Sequence, residues 1–212
     1  MSSPDGAPDE GNIVQALGHR RYVGGRWDEI GRLQFDYLLA EGLGPEQVLL
    51  DVGCGALRGG IHFIPFLNAG HYLGVEQEPL LVSAGLSQEL PAALRDRKRP
   101  EIVISSEFEF ERLSRRPDYA IAQSLFTHLT PDRIAQCLRN LRCFVDERPC
   151  RFYATFLEAE TPVENPTSSN PREAFLYTRD EMERLGERTN WAAQYLGDWR
   201  HPRGQMMMVY TN

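Results

Sequence analysis

The sequence predicts a single α/β domain with a doubly wound, seven-stranded, mostly parallel sheet and a C-terminal antiparallel hairpin. Two observations predict it. Short apolar runs alternate with amphipathic stretches through most of the chain, and two apolar runs follow one another at its end. Alternation of strands and helices places helices on both faces of a parallel sheet. A closing hairpin adds an antiparallel strand to such a sheet.

The predicted elements follow in order along the chain. Met1–Asn12 is rich in Ser, Pro, Gly, Asp and Glu, which predicts a disordered leader. From Asp28 apolar positions recur with helical spacing until Gly42. The predicted strands are Val48–Val52, His71–Val75, Glu101–Ile104, Asp118–Gln123, Phe152–Phe156, Ala192–Leu196 and Gln205–Tyr210. The predicted helices among them are Ala56–Leu67, Pro79–Leu94, Asp132–Phe144 and Arg179–Arg188.

Composition excludes several classes of protein. The chain has 212 residues, 42% hydrophobic and 25% charged, which is typical of one globular domain. Its net charge of -7 argues against a general binder of nucleic-acid backbones and favours a small ligand. No uncharged run reaches the ~20 residues of a membrane span, and the N-terminus lacks the features of a signal peptide. We therefore expect no nucleic-acid or membrane partner.

The four cysteines indicate the compartment. They form no C-x-x-C pair and have no histidine at zinc-ligand spacing; they are Cys54, Cys137, Cys143 and Cys150. With no export signal, this pattern is typical of reduced thiols in a cytoplasmic protein. We expect no metal site.

The segment after the first predicted strand carries the clearest motif. The strand ends in Asp51, and a G-x-G turn of Gly53, Cys54 and Gly55 opens the next element. Glycines let the backbone turn tightly and let a ligand approach without a clashing Cβ. Ligands of doubly wound sheets bind at the carboxyl ends of the strands, where this turn falls.

A dinucleotide site is an alternative interpretation of this turn. Its fingerprint G-x-G-x-x-G requires a glycine where the chain has Arg58. Asp51 would repel a pyrophosphate, whereas it would attract the ammonium group of an amino acid moiety. Both residues disfavour a nicotinamide-dependent dehydrogenase.

A second carboxylate ends the next predicted strand. Glu76 follows Gly55 by just over twenty residues and lies at a strand tip beside the glycine turn. A carboxylate in this position accepts hydrogen bonds from both hydroxyls of a ribose. The alternative is an exposed loop glutamate.

The two motifs, followed by the run Asp118–Leu129, resemble those of class I S-adenosylmethionine-dependent methyltransferases of the small-molecule type. The resemblance extends from about Ile30 to the C-terminus. It implies a Rossmann-like fold, S-adenosylmethionine as cofactor and S-adenosylhomocysteine as product. It also divides the chain into the leader 1–12, an N-terminal lid and helical segment 13–44, and a cofactor-binding domain 45–212.

The resemblance also implies roles for the motif residues. The turn Gly53–Gly55 would hold the methionine part of the cofactor, with Cys54 as a small filler and Asp51 near the ammonium group. Glu76 would bind the ribose hydroxyls, and the adjacent Gln77 would also bind the cofactor.

Further along the chain, Glu107 and Phe108 would flank the adenine, as an amine acceptor and an apolar face. Gln123 or Ser124 would approach the methionine side. The Asn/Asp-Pro-Pro-aromatic motif of amino-group methyltransferases for DNA is replaced by Gln123–Phe126, which disfavours base methylation.

Two histidines are candidate general bases, since an imidazole titrates near neutral pH. His128 follows the fourth strand on the cofactor side; its alternative role is to cap or pack against the next helix. His201, at the tip of the final hairpin, is the second candidate, and a solvated turn is the simpler interpretation.

The basic and aromatic segment His19–Trp27 is a candidate lid. Tyr22 and Trp27 could enclose a ligand, whereas the alternative is that both aromatics pack on the sheet. Arg58 could receive a carboxylate from the first helix turn, or be an exposed helix residue.

These patterns predict an enzyme that methylates a small molecule by in-line transfer, with oxygen slightly favoured as acceptor atom. One alternative keeps the cofactor but transfers or cyclises another alkyl group. Another is a non-catalytic protein that binds S-adenosylmethionine or a nucleotide. The sequence does not identify the acceptor or the oligomeric state.

Overall fold

The computed structural model describes residues 10–212 and contains one central sheet. Its strand order is β3-β2-β1-β4-β5-β8-β7, and the short β6 pairs with β5. The strands are β1 Leu49–Val52, β2 Tyr72–Glu76, β3 Glu101–Ile104, β4 Tyr119–Ala122, β5 Arg151–Glu158, β6 Leu176–Tyr177, β7 Ala192–Asp198 and β8 Gln205–Thr211. β8 runs antiparallel to β5 and β7, whereas the other pairs are parallel. The predicted fold class is confirmed.

The sheet has one strand more than the seven predicted. The seven predicted strands are present, and their ends differ from the prediction by at most two residues. The additional β6 is only two residues long and pairs with the end of β5. Two residues are too few to show the alternation by which a strand is recognised in a sequence.

The helices differ more from the prediction. They are α1 Glu10–Leu17, α2 His19–Tyr22, α3 Trp27–Ala40, α4 Gly60–Phe66, α5 Pro79–Ala84, α6 Ala92–Lys98, α7 Pro131–Val145 and α8 Arg179–Glu187. The predicted helix Pro79–Leu94 is interrupted, since α5 continues as a π-helical turn, Gly85–Glu89, and then stops. Leu90 is extended because it precedes Pro91, and a residue before proline avoids the helical region.

The predicted leader, Met1–Asn12, overlaps the described part of the chain only at its end. Residues 1–9 lie outside the described part of the chain, whereas α1 begins at Glu10 within the predicted leader.

None of the described helices is long and apolar enough to cross a bilayer.

Helices cover both faces of the sheet. Alternation along β1 directs Leu50 and Val52 toward the face that α7 and α8 cover, and Leu49 toward the face that α3 and α4 cover. A capping box between Thr178 and Glu181 begins α8.

The strand order reverses between β1 and β4, which opens a crevice at their carboxyl ends.

Candidate functional site

A cavity of about 860 Å³ lies at this crevice. Its volume falls in the range of about 300–1,000 Å³ that is usual for small-molecule sites. The glycine turn after β1, the ends of β2 and β4, the loop after β3, the segments 22–24 and 169–171, and the end of the hairpin line it. The cavity therefore occupies the position that the motifs predict.

The glycine turn needs both of its glycines. Gly53 and Gly55 have φ angles of +73° and +53°, which side chains disfavour. A Cβ on Gly55 would lie 3.2 Å from Cγ1 of Val23, so the turn and the N-terminal segment pack closely. Burial raises the pKa of the Cys54 thiol, which disfavours a nucleophilic thiolate and fits a filler.

Asp51 is a buried carboxylate on the cavity wall, with 4% of its surface exposed. Its Oδ2 accepts a hydrogen bond of 2.8 Å from the hydroxyl of Tyr72. Burial raises the pKa of Asp51 to about 6, so the group is mostly ionised at neutral pH. No described cation forms a salt bridge with it.

Glu76 is held at the end of β2 by backbone amides. Its Oε2 accepts from the amide of Gly55 at 2.9 Å, and its Oε1 accepts from those of Gln77 and Glu78 at 2.9 and 3.0 Å. A carboxylate has about four acceptor positions, so it can still accept from a ligand. Glu76 and Gln77 both line the cavity, and Glu76 is buried rather than an exposed loop residue.

The two residues after β3 that were predicted to flank the adenine lie in different environments. Phe108 is buried on the cavity wall, and the guanidinium of Arg133 lies 5.2 Å from its ring centroid. Glu107 is exposed and does not line the cavity, so its predicted place beside the same ligand is corrected. Arg133 donates a hydrogen bond to Glu107 at 2.8 Å and lowers the pKa of that carboxyl to about 2.

Gln123 is the centre of a buried polar network at the end of β4. Its Oε1 accepts from Nη2 of Arg58 at 2.5 Å, and its Nε2 lies 3.1 Å from Nε2 of His201. Because a guanidinium only donates, the amide oxygen faces Arg58 and the amide nitrogen faces His201. Burial, with nearby arginines, lowers the pKa of His201 to about 4, so this ring is neutral at neutral pH.

His201 and Arg58 are therefore both internal residues. His201 is 5% exposed and stacks on Trp199, which corrects the expectation of a solvated turn. It does not line the cavity, and it contacts two residues that do, Gln123 through its Nε2 and the backbone amide of Arg203 through its Nδ1. Arg58 does line the cavity and is 8% exposed, so it is not a surface helix residue.

His128 also lines the cavity. Its Nδ1 lies 2.8 Å from the carbonyl oxygen of Glu173, so Nδ1 carries the proton and Nε2 keeps its lone pair. Burial lowers the pKa of His128, which keeps the ring neutral near pH 7. The geometry suits a general base at Nε2.

The N-terminal segment contributes Tyr22, Val23 and Gly24 to the cavity wall. Trp27 does not line the cavity, which corrects its predicted contact with a ligand. It is buried against Ala56 and Leu81, and thus supports the segment from behind.

Three further wall residues were missed by sequence reasoning: Gln34, Arg203 and Gln205. Gln34 lies four residues from both Ile30 and Leu38 on the buried stripe of α3, and a polar residue on an apolar stripe is a usable signal. Gln205 opens a strand and shows no such signal. Its Oε1 accepts from Thr155 at 2.7 Å inside the sheet.

The strand order and the position of the cavity define the class I methyltransferase fold. A magnesium protoporphyrin IX methyltransferase from Synechocystis PCC 6803, with bound S-adenosylhomocysteine, superimposes with a TM-score of 0.64 at 13% identity, over 96% of this chain and 100% of the other. A SAM-dependent methyltransferase from Aquifex aeolicus gives 0.63 at 15% identity, over 96% and 98% of the two chains.

An amino pentose methyltransferase from Micromonospora echinaspora, CalS10, with bound SAM, gives 0.59 at 16% identity over 94% and 96% of the chains. No family model and no curated sequence matches the chain. At these identities the likeness establishes the fold, and the fold agrees with the resemblance that the motifs carry.

Proposed function

We propose that this protein is an S-adenosylmethionine-dependent methyltransferase acting on a small molecule. The observation that carries the proposal is the set of charges around the glycine turn. Asp51 supplies a buried carboxylate for the ammonium group, and Glu76 supplies a second carboxylate for the ribose hydroxyls. Phe108 offers an apolar wall to the adenine.

S-adenosylmethionine supplies a methyl group already activated on a sulfonium, so an acceptor can displace it without a covalent enzyme intermediate. The chain must then position the acceptor, exclude water and accept a proton where one is released. Nε2 of His128, a residue that lines the cavity, is the group for that proton. A base favours a hydroxyl acceptor, since an alcohol loses its proton on methylation.

The structural neighbours support a small acceptor. Those compared above include enzymes named for a magnesium porphyrin and for an amino pentose. The cavity volume of about 860 Å³ also has room for a ligand beside a cofactor.

Calorimetry with S-adenosylmethionine and S-adenosylhomocysteine tests the proposal first. We expect binding of both, strong loss in Glu76→Ala, and no loss in Glu111→Ala, which alters an exposed glutamate outside the cavity. Absence of binding by the unmodified protein would contradict the proposal.

Mass analysis of the product separates the reaction classes. After incubation with a panel of small hydroxylated and amino compounds, S-adenosylhomocysteine indicates methyl transfer. Methylthioadenosine would instead indicate transfer of another alkyl group or cyclisation. Binding without either product across the panel would favour a non-catalytic protein.

A further inference from the structure

Two arginines hold the loop that covers the glycine turn. Nη1 of Arg58 donates to the carbonyl oxygens of Val23 at 2.8 Å and Gly25 at 3.2 Å. Arg203, from the turn between β7 and β8, donates to the carbonyl oxygen of Gly24. Three successive carbonyls of this loop, Val23–Gly25, are therefore bound by the guanidinium groups of two arginines that lie far apart in the sequence.

The charges of these two arginines are only partly balanced within the described residues, since the carboxylate of Asp51 acts on Arg58 without forming a salt bridge. All their acceptors are carbonyl or amide oxygens, and neither forms a salt bridge there. By contrast, Arg133 on the same cavity wall pairs with Glu107. The cavity wall thus carries the positive charges of Arg58 and Arg203 beside the carboxylates of Asp51 and Glu76.

Arg58 is the more unusual of the two. Its surface is 8% exposed, and its buried Nε–H has no hydrogen-bond partner among the described residues. Leaving a buried charged donor unpaired destabilises the folded chain, because the donor loses its hydrogen bonds to water. Such a cost is offset when an anion arrives, because charge-assisted bonds to a carboxylate are about twice as strong as neutral ones.

We propose that Arg58 and Arg203 form a receptor for a carboxylate and hold the loop Val23–Gly25 over the ligand that carries it. This inference rests on the proposed function. The carboxylate has two possible sources, the methionine part of the cofactor and an acidic acceptor. Asp51 and Arg58 both line the cavity and carry opposite charges, which matches a zwitterionic amino acid moiety.

The first experiment compares two ligands that differ by one carboxylate. Calorimetry measures S-adenosylhomocysteine and its decarboxylated analogue on the unmodified protein, Arg203→Gln and Arg203→Lys. Arg200→Gln is the matched control, since Arg200 is exposed in the same hairpin turn and does not line the cavity. Arg58→Met, checked for folding by circular dichroism, extends the comparison to the buried partner.

If the cofactor supplies the carboxylate, Arg203→Gln and Arg58→Met weaken S-adenosylhomocysteine by about tenfold or more, because each lost charge-assisted bond is worth at least ~1.4 kcal/mol. The decarboxylated analogue then binds all variants within about twofold of one another, and Arg203→Lys recovers part of the loss.

The second experiment tests an acidic acceptor. The complex with S-adenosylhomocysteine is titrated with benzoate and with benzamide, its neutral isostere, and followed by NMR. An acceptor source predicts that benzoate binds preferentially and that Arg203→Gln removes the preference. The inference would be overturned if the variants lost equal affinity for S-adenosylhomocysteine and for its decarboxylated analogue, and if benzoate bound no better than benzamide. Failure of the unmodified protein to bind S-adenosylhomocysteine would instead overturn the proposed function.

Discussion

Among single residues, Asp51 combines a cost in stability with its proposed role in binding. Its carboxylate is buried with one hydrogen bond, from Tyr72, and its pKa rises from 3.8 to about 6. Between these pH values the folded chain binds a proton that the unfolded chain has released. The stability of the ligand-free protein therefore falls as pH rises from about 4 to 6, and stays lower above that range.

Asp51→Asn should separate the two roles. Without the buried charge, we expect the ligand-free protein at pH 7 to gain about 1 kcal/mol or more in its free energy of unfolding. Affinity for S-adenosylhomocysteine should fall about tenfold or more, because the ammonium group loses its anion. Urea titration and calorimetry measure the two effects. Asp96→Asn, at an exposed site, is the control, and an unchanged affinity would argue against the ammonium contact.

His128 makes a prediction about the pH dependence of turnover. Its pKa is lowered by burial, so the proposed base is neutral at pH 7, and kcat/KM should fall only as pH drops below the usual histidine range. His128→Gln should lower kcat by about 10²–10⁴-fold and remove this acidic limb.

A compound from the panel of hydroxylated and amino compounds that accepts the methyl group provides the activity assay. Binding of S-adenosylhomocysteine is the check on folding, and we expect His128→Gln to leave the affinity for this ligand unchanged. His71→Gln, which lies away from the cavity, should retain activity. A loss of kcat below about threefold would fit a packing role rather than a general base.

At the scale of elements, the π-helical turn Gly85–Glu89 anchors the N-terminal segment. It presents Glu89, whose side chain is 5% exposed, to two residues of α2. Nε2 of His19 lies 2.5 Å from its Oε1, and Arg20 donates to both oxygens at 2.7 and 2.6 Å. π-turns often occur at functional sites.

Glu89→Gln should loosen this anchor without unfolding the domain. Arg20 is half exposed, so the free energy of unfolding should change by no more than about 1 kcal/mol. Hydrogen exchange should rise over residues 19–25, and S-adenosylhomocysteine should dissociate faster. Glu183→Gln breaks an ion pair with Arg179 outside the cavity and should change neither quantity. Unchanged exchange in Glu89→Gln would show that other contacts hold the segment.

The sequence predicts local patterns of this fold well and contacts between distant segments poorly. Alternation and the two glycines locate β1, its turn and Glu76, because those features are encoded by neighbouring residues. Nothing local indicates that His201 is buried or that Arg203 reaches Gly24. Glu107 and Phe108 are adjacent in sequence, yet a φ of +56° at Phe108 accompanies their separation.

For the whole molecule, binding should appear as a gain in stability. A ligand that binds only the folded state adds about 2.7 kcal/mol at a concentration of 100 times Kd. For a chain of 212 residues, each kcal/mol corresponds to a rise in Tm of about 2–4 °C. Thermal scans with increasing S-adenosylhomocysteine should show a rise that continues with concentration. Glu76→Ala should show little rise at the same concentrations.

The contact between Arg203 and Gly24 joins residues 179 positions apart. A ribosome releases the glycine turn, both acidic motifs and the loop Val23–Gly25 long before it releases the hairpin of β7 and β8. Until that hairpin emerges, β5 lacks its antiparallel neighbour and the loop lacks one of its two guanidinium partners. During synthesis, then, the part of the cavity wall that Arg203 and Gln205 form is added after most strands of the sheet have been made.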